Sequence, residues 1–521
     1  SGCATCDANT SATSWTPSTG KCVIDNVCYN SGATASGCSG AKCTPSSSQT
    51  SWTSTTHCVV GPSKCVTKGT KEAGGMGCGI CEPSKNTGGW TKQTGCSKVH
   101  AWSKKFGGSS SDYGYSVGTD SDGNVYMAGY FYNSINLGGT TYTSKGYYDV
   151  FLVSYTPSGQ FRWGKTFGSS SYDYNFDLAV DSAGNVYITG YHSTSINFGG
   201  STITSNGSYD IYLASFDSSG KHRWSKGFGS TSSDYGYGLA TDASGNVYLT
   251  GYFYYNANFG GSTRTSEGSY DIFVASGAKG GKDRGSKNCG NTSGDYGDGM
   301  GDGSGNVYIT GYFYNSINFG GSTISSNGSG DMFIASFTPS GVHRWSKGYG
   351  GTSSDYGYDV ATDAAGNVYV TGYFYYNIKF GSKTWTSSGS YDAYVVSFTS
   401  GGSVRWSAGY GSTSSDYGYG LDVDSKGNVY VTGMFYNTMK LSSSVSLTSK
   451  GGYDAYVAAF NASGTALWGR SFGSTSSDYG RAVAVDPLGN VYVAGYFYYT
   501  VDFGGGNLTA SSTDGFLVKL E

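Results

Sequence analysis

Charge is scarce in this sequence. Asp, Glu, Lys and Arg make up 13% of its 521 residues, about half the share usual in soluble domains. The 32 basic and 35 acidic side chains nearly cancel to a net charge of −3, so no basic surface for nucleic acid or an anionic membrane is expected. No apolar run approaches the roughly 18–20 residues that span a bilayer, so no membrane span is expected either. No stretch keeps a 3.6-residue apolar period, which excludes all but a trace of helix. The five histidines (57, 100, 192, 222, 343) form no motif, and no Gly-x-Ser-x-Gly turn, phosphate-binding loop or HExxH is present. Met is also missing from the first position, where Ser stands; the expectation is that a leader has been removed or lies outside this chain.

Cysteine is nearly absent after residue 96, where only Cys289 remains. The other eleven are Cys3, Cys6, Cys22, Cys28, Cys38, Cys43, Cys58, Cys65, Cys78, Cys81 and Cys96. Residues 1–98 repeat at spacings of 36–40 residues: Cys22, Cys28, Cys38, Cys43 and Trp52 are echoed by Cys58, Cys65, Cys78, Cys81 and Trp90. Cys6 and Trp15 read as the tail of an earlier unit. Four cysteines per unit with almost no Leu, Ile or Phe point to modules stapled by disulfides in an oxidising compartment. Zinc is the competing reading, because "CGIC" at 78–81 has ligand spacing, but its nearest match is the distant "CATC" at 3–6. Eleven is odd, so one thiol is expected to pair with Cys289, with chain upstream, or with another molecule.

What is abundant is Gly (86) and Tyr (48), arranged in a long repeat. The Asn of "GNVY" or its equivalent recurs at 124, 185, 246, 306, 367, 428 and 490, every 60–62 residues. Each unit carries four strand-like runs separated by turn signals, for example "YNFDLAV", "NVYITGY", "YDIYLASF" and "HRWSKGF". Such periods of short strands mark a propeller. The fourth-strand position recurs at Trp102, Trp163, Trp224, Gly285, Trp345, Trp406 and Trp468, one unit ahead of the other three strands. The expected fold class is therefore all-β: a seven-bladed propeller over 99–521, with 99–107 completing the last blade beside 514–521, preceded by small disulfide-rich modules over 1–98. Closure of that kind removes open sheet edges.

The units, read as "SSDYGYGLATDASGNVYLTGYFY" (232–254), resemble the bacterial-type beta-propeller repeat (SBBP-like) found in tandem in secreted and cell-surface proteins. The resemblance covers about four fifths of the chain, rests on the D-x-x-G-N-V-Y turn and strand, and implies an extracellular scaffold with no defined activity. The N-terminal modules resemble cysteine-rich extracellular modules of eukaryotic surface proteins, including those of algal flagellar hairs (mastigonemes).

Three columns of Asp recur. The turn column (120, 181, 242, 302, 363, 424, 486) reads as residues that hydrogen-bond their own backbone; a calcium loop at Asp120, Asp122 and Asn124 is the alternative, weakened because the other units lack the middle acid. The second column is Asp112, Asp173, Asp234, Asp295, Asp355, Asp416 and Asp478, and the third opens the third strand at 149, 210, 271, 331, 392, 454 and 514. Propeller geometry puts these fourteen on one face, capping turns or, alternatively, forming a ring for cations or a basic partner. Glycosylation sequons stand at Asn9, Asn206, Asn291, Asn327, Asn461 and Asn507. One unit departs from the rest, with Gly277 for Phe or Tyr, Gly285 for Trp and Cys289 for Phe, either by drift or because its outer edge meets a neighbour.

Near-identical loop sets suit assembly or multivalent binding better than catalysis, which needs distinct groups at one place. The expectation is a secreted structural glycoprotein, without cofactor or enzymatic activity, that self-associates into a filament, sheath or surface coat and carries covalent glycans. The alternative is a lectin-like or adhesive propeller.

Overall fold

The computed structural model describes residues 98–521 except Ser262 and Ser304, together with the backbone of eight short strands before them. The chain divides into two compact units, Ser1–Val99 and His100–Glu521. In the first, strands pair as four hairpins: Ala4–Cys6 with Trp15–Pro17, Lys21–Ile24 with Val27–Asn30, His57–Val60 with Lys64–Thr67, and Gly79–Ile80 with Thr91–Lys92. The side chains of the eleven cysteines from Cys3 to Cys96, and Asn9, lie outside the described residues.

The second unit is an all-β, seven-bladed propeller of four-stranded antiparallel sheets. Blades 1 to 7 begin at the inner strands Asp112–Thr119, Asp173–Val180, Tyr235–Thr241, Asp295–Gly303, Asp355–Thr362, Tyr417–Val423 and Tyr479–Val485. In blade 7 the outermost strand is His100–Phe106, which pairs antiparallel with Asn507–Leu520, Phe106 opposite Gly515 and Ser103 opposite Val518. No helix long and apolar enough to cross a membrane occurs among the described residues.

Each blade is covered on both faces, and its second strand reads accordingly. In "NVYITGY" the residues Val186, Tyr187 and Ile188 are all fully buried, as a sheet sandwiched between two others requires. Every inner strand carries a bulge at the same place, between Gly114 and Ser116 in blade 1 and between Gly357 and Asp359 in blade 5. The bulge leans the Tyr113 and Tyr356 carbonyls over Gly129 and Gly372, where an added β-carbon would lie 1.9 Å from the oxygen. That close approach is why Gly stands mid-strand.

Neighbouring blades are tied by tryptophan. Trp163 in blade 1 donates its indole N–H to the Ser218 carbonyl of blade 2 at 3.0 Å, and Trp345 of blade 4 donates to Ser400 of blade 5 at 2.9 Å. The same bond joins Trp102 to Pro157, Trp224 to Lys279 and Trp406 to Ala462. Carboxylates add a second tie: Asp177 accepts from Leu239 N of blade 3, Asp359 from Leu421 N of blade 6, and Asp422 from Val485 N of blade 7. Replacing Trp163 by Ala removes the packing and the bond together. Because Trp163 is only half-buried, the expected loss is about 2–3 kcal/mol, below the roughly 3–5 kcal/mol of a fully buried tryptophan, measured by denaturant unfolding of the full chain.

Candidate binding site on the propeller axis

The inner-strand bulge turns two consecutive residues of a strand toward one space, because the extra residue has no partner across the ladder. These residues and second-strand tyrosines such as Tyr252 and Tyr312 enclose a cavity of about 310 Å³. The wall is Tyr115, Phe176, Tyr237, Asp298, Tyr358, Tyr419 and Arg481, one from each blade. Five positions are aromatic; blades 4 and 7 break the pattern with an acid and a base.

Arg481 is held by rings. Its guanidinium carbon lies 4.6 Å from the Tyr419 centroid, 4.8 Å from Tyr115 and 5.4 Å from Tyr496, and one N–H donates to the Tyr496 hydroxyl at 2.9 Å. Among the described residues no carboxylate forms an ion pair with it, and its Nε is buried without a partner. Aromatic faces attract a guanidinium by about 1–2 kcal/mol each when desolvated, yet they do not neutralise it. Asp298 is the second unpaired group: its Oδ2 has no partner, and burial pushes its carboxyl up to about 7. The cavity thus offers stacking faces, one uncompensated cation and one acid able to donate or accept a hydrogen bond.

The three Asp columns occupy different roles. In six blades the turn Asp is spent on its own turn. Asp181 accepts from Ala183 N, Asn185 N, the Asn185 amide and the Tyr187 hydroxyl, and Asp120 does the same toward Asp122 N, Asn124 and Tyr126. The oxygens of Asp120 are therefore engaged within the turn, and Asp122 is exposed. Blade 4 is the exception to the expected capping: its hairpin is tighter, with Gly303 opposite Asn306, and Asp302 Oδ1 has no partner. No group of three or more His, Cys, Asp or Glu side chains that could hold a metal occurs among the described residues.

The second column is buried, with Asp112, Asp173, Asp234, Asp295, Asp355 and Asp416 at 0% exposure and Asp478 at 1%. Each accepts a loop N–H four residues earlier, such as Gly108 to Asp112, Gly351 to Asp355 and Ser474 to Asp478. The third column is buried too, and packs on the Gly that ends each outermost strand: a β-carbon on Gly168 would sit 2.1 Å from Asp149. Each second-column acid faces a third-column acid of the preceding blade, as Asp355 faces Asp331. Burial first, with this repulsion added, pushes Asp112, Asp295 and Asp355 up to about 8. These acids are thus inside the loops that form the face rather than displayed on it.

The remaining predicted residues are scattered. Asn206, Asn327 and Asn507 are exposed, and Asn461 is half-buried. Asn291 spends its amide N–H groups on Asp295 and the Tyr314 carbonyl, so a glycan there would have to displace those bonds. Cys289 is a free thiol at 2% exposure, pushed up to about 12 chiefly by burial; a bridge from it would require the blade edge to open. The axial wall was not singled out from the sequence. Its signal was there: two residues after the invariant Tyr of the "DYG" loop, the aromatic gives way to Asp298 and Arg481 alone.

A model of the beta-propeller repeat (SBBP) matches residues 90–130, 223–252, 344–373, 406–434 and 467–496, so the chain carries beta-propeller repeats of this kind. An uncharacterised WD repeat-containing protein of Acanthamoeba polyphaga mimivirus is 21% identical over 482 residues, covering 76% of this chain. The chain spans about a third of that relative, 31% of its length. Among solved structures, a gluconolactonase from Xanthomonas campestris is similar over 81% of this chain and 89% of its own (8% identity, TM-score 0.33). An ulvan lyase of polysaccharide lyase family PL25 is similar over 75% and 93% (10% identity, TM-score 0.36).

The buried acids set a pH dependence. Their folded pKa values lie above the unfolded one, so the folded state holds protons that the unfolded chain has released, and stability falls as pH rises through the folded values. His192, lowered to about 4, works in the opposite sense only below about pH 6.5. Between pH 6.5 and 8.5 the melting temperature is therefore expected to drop on the order of 5 °C, and Asp355→Asn should flatten the slope, as read by calorimetry.

Proposed function

We propose that this chain is a secreted structural glycoprotein whose propeller is a rigid subunit of a filament, sheath or surface appendage. The observation that carries the reading is a set of exposed tyrosines, Tyr255, Tyr376 and Tyr499, at 57, 56 and 66% exposure. They take the same place in blades 3, 5 and 7, with φ of 64°, 64° and 54°. Blades 1, 4 and 6 use Asn133, Asn315 and Asn437 there, the residue type that tolerates a left-handed backbone. A tyrosine in that conformation costs about 1–2 kcal/mol and exposes an aromatic ring, a combination that fits a contact surface covered on assembly. Tyr254 and Tyr375 back two of the rings at centroid distances of 4.2 and 4.6 Å. In this reading the pairing of His100–Phe106 with Asn507–Leu520 closes the ring, the eleven N-terminal cysteines form disulfide-stapled modules, and glycans sit at exposed sequons such as Asn206 and Asn327. Catalysis and cofactors have no part in it.

Electron microscopy of native, unreduced material should show regular polymers, and the triple change of Tyr255, Tyr376 and Tyr499 to Asn should shorten or abolish them without lowering the melting temperature. Dispersed single rings would refute the proposal.

A second reading, a lectin-like or adhesive propeller, is supported by the axial cavity. A half-buried arginine without an anion, ringed by aromatic faces, suits a ring-shaped ligand bearing a carboxylate or sulfate, such as an acidic sugar. Titration with a panel of neutral and acidic monosaccharides should then give binding confined to the acidic ones. Arg481→Met should weaken it at least tenfold, and equal binding of neutral sugars would count against this reading.

A further inference from the structure

The outer rim between blades 3 and 4 has the shape of a missing side chain. At the five tryptophan junctions the indole lies across the next blade's turn between third and fourth strands and donates to a carbonyl there. A β-carbon on the glycine of that turn (Gly159, Gly220, Gly281, Gly402 or Gly464) would stand 2.5–3.0 Å from the ring. In blade 3 the position is Gly285, which pairs with Ser276 as Trp163 pairs with Ser154. The Pro339 carbonyl takes the acceptor's place with no indole to bond. A β-carbon on Gly285 or Gly341 would meet nothing within 4 Å.

What remains is a cavity of about 210 Å³, whose walls include Tyr248, Val274, Val307 and Phe337. The Lys287 ammonium stands 5.3 Å from the Phe337 centroid at its edge. An apolar cavity of about 150 Å³ already takes benzene, so an indole fits, and a lysine beside it adds a cation–π contact. Arg264, which donates to the Ser286 hydroxyl at 3.1 Å, also lines the slot, so a ring entering it would meet two cations beside the apolar walls.

We propose that this slot receives a tryptophan side chain from the N-terminal region of a second copy of the chain. The seven tryptophans of the propeller already have places: five at the junctions, Trp468 buried in blade 6, and Trp385 donating to Ser407 Oγ. The other three of the ten, Trp15, Trp52 and Trp90, each followed by Thr, all precede the propeller in sequence. A contact between two different surfaces of like subunits is heterologous and propagates as an open filament unless the rotation closes a ring. The inference rests on the self-assembly reading and names one contact that would serve it.

The test uses the full chain, wild type against Gly285→Trp, which restores the residue of the intact junctions. Assembly is followed by light scattering and electron microscopy with millimolar N-acetyltryptophanamide, and with N-acetylleucinamide as control. Because Gly285 sits at φ 153°, a side chain there carries backbone strain, so the expected result is a Gly285→Trp protein that still folds, with a lowered melting temperature, and forms polymers at least tenfold shorter. N-acetyltryptophanamide, and not the leucine analogue, should shorten wild-type polymers. Replacing Trp15, Trp52 and Trp90 together by Ala should match the Gly285→Trp effect; should that variant misfold, the amide competition decides. A folded Gly285→Trp chain that assembles like wild type, in polymers insensitive to the amide, overturns the proposal. If the wild type forms no polymer at all, the self-assembly reading falls and takes the second copy with it. Binding of the amide to wild type but not to Gly285→Trp would then still mark the slot as an indole site.

Discussion

The structure depends on the fit of each blade's outer edge against the turn of the next. A four-stranded sheet has two apolar faces and cannot bury either alone, so a blade is stable only between neighbours. The indole laid on a glycine of the following blade, with its N–H bonded to that blade's carbonyl, does both halves of this work. It excludes water from the rim and satisfies a backbone acceptor that would otherwise be stranded there. Repeated around the ring, this contact makes the propeller one cooperative body whose loops and axial wall are held to fixed positions.

Within that frame, repetition and departure from repetition carry different information. The conserved positions of the unit are structural: the turn Asp binds its own turn, the loop Asp holds backbone N–H groups, and the mid-strand Gly admits a carbonyl. The positions that differ between blades are where specific chemistry can reside. Arg481 places an unpaired cation and Asp298 an unpartnered carboxyl oxygen on an otherwise aromatic axis, Tyr255, Tyr376 and Tyr499 place exposed rings on a strained backbone at alternate tips, and Gly285 leaves an indole-sized gap. Each departure costs stability, through desolvation, backbone strain or lost packing, which is the reason to look for a function at each.

Much of the architecture was legible in the sequence because a repeat multiplies weak signals. One "GNVY" means little; seven at near-equal spacing imply seven equivalent strands, and the Trp that leads each count by one unit locates the strand His100–Phe106 beside Asn507–Leu520. The tighter turn at Asp302 was not legible, since its "DGSGN" reads like its sisters. Nor was the fate of the Asp columns: periodicity placed them on one face, but their burial follows from the loops folding back over them.

The sequence by itself determined the repeat, the count of blades and the strand order, because these follow from the spacing of the repeated strand-like runs and of the turn residues between them. It also set aside Cys289 and Gly285 as anomalies. Only the tertiary structure decided what lies at the axis and at the rim. The bulge turns Arg481 into a space shared with six other blades, and the gap at Gly285 acquires its walls from Val307 and Phe337 of the next sheet. Those neighbours come from other blades, and their meeting is a long-range event that no local pattern encodes.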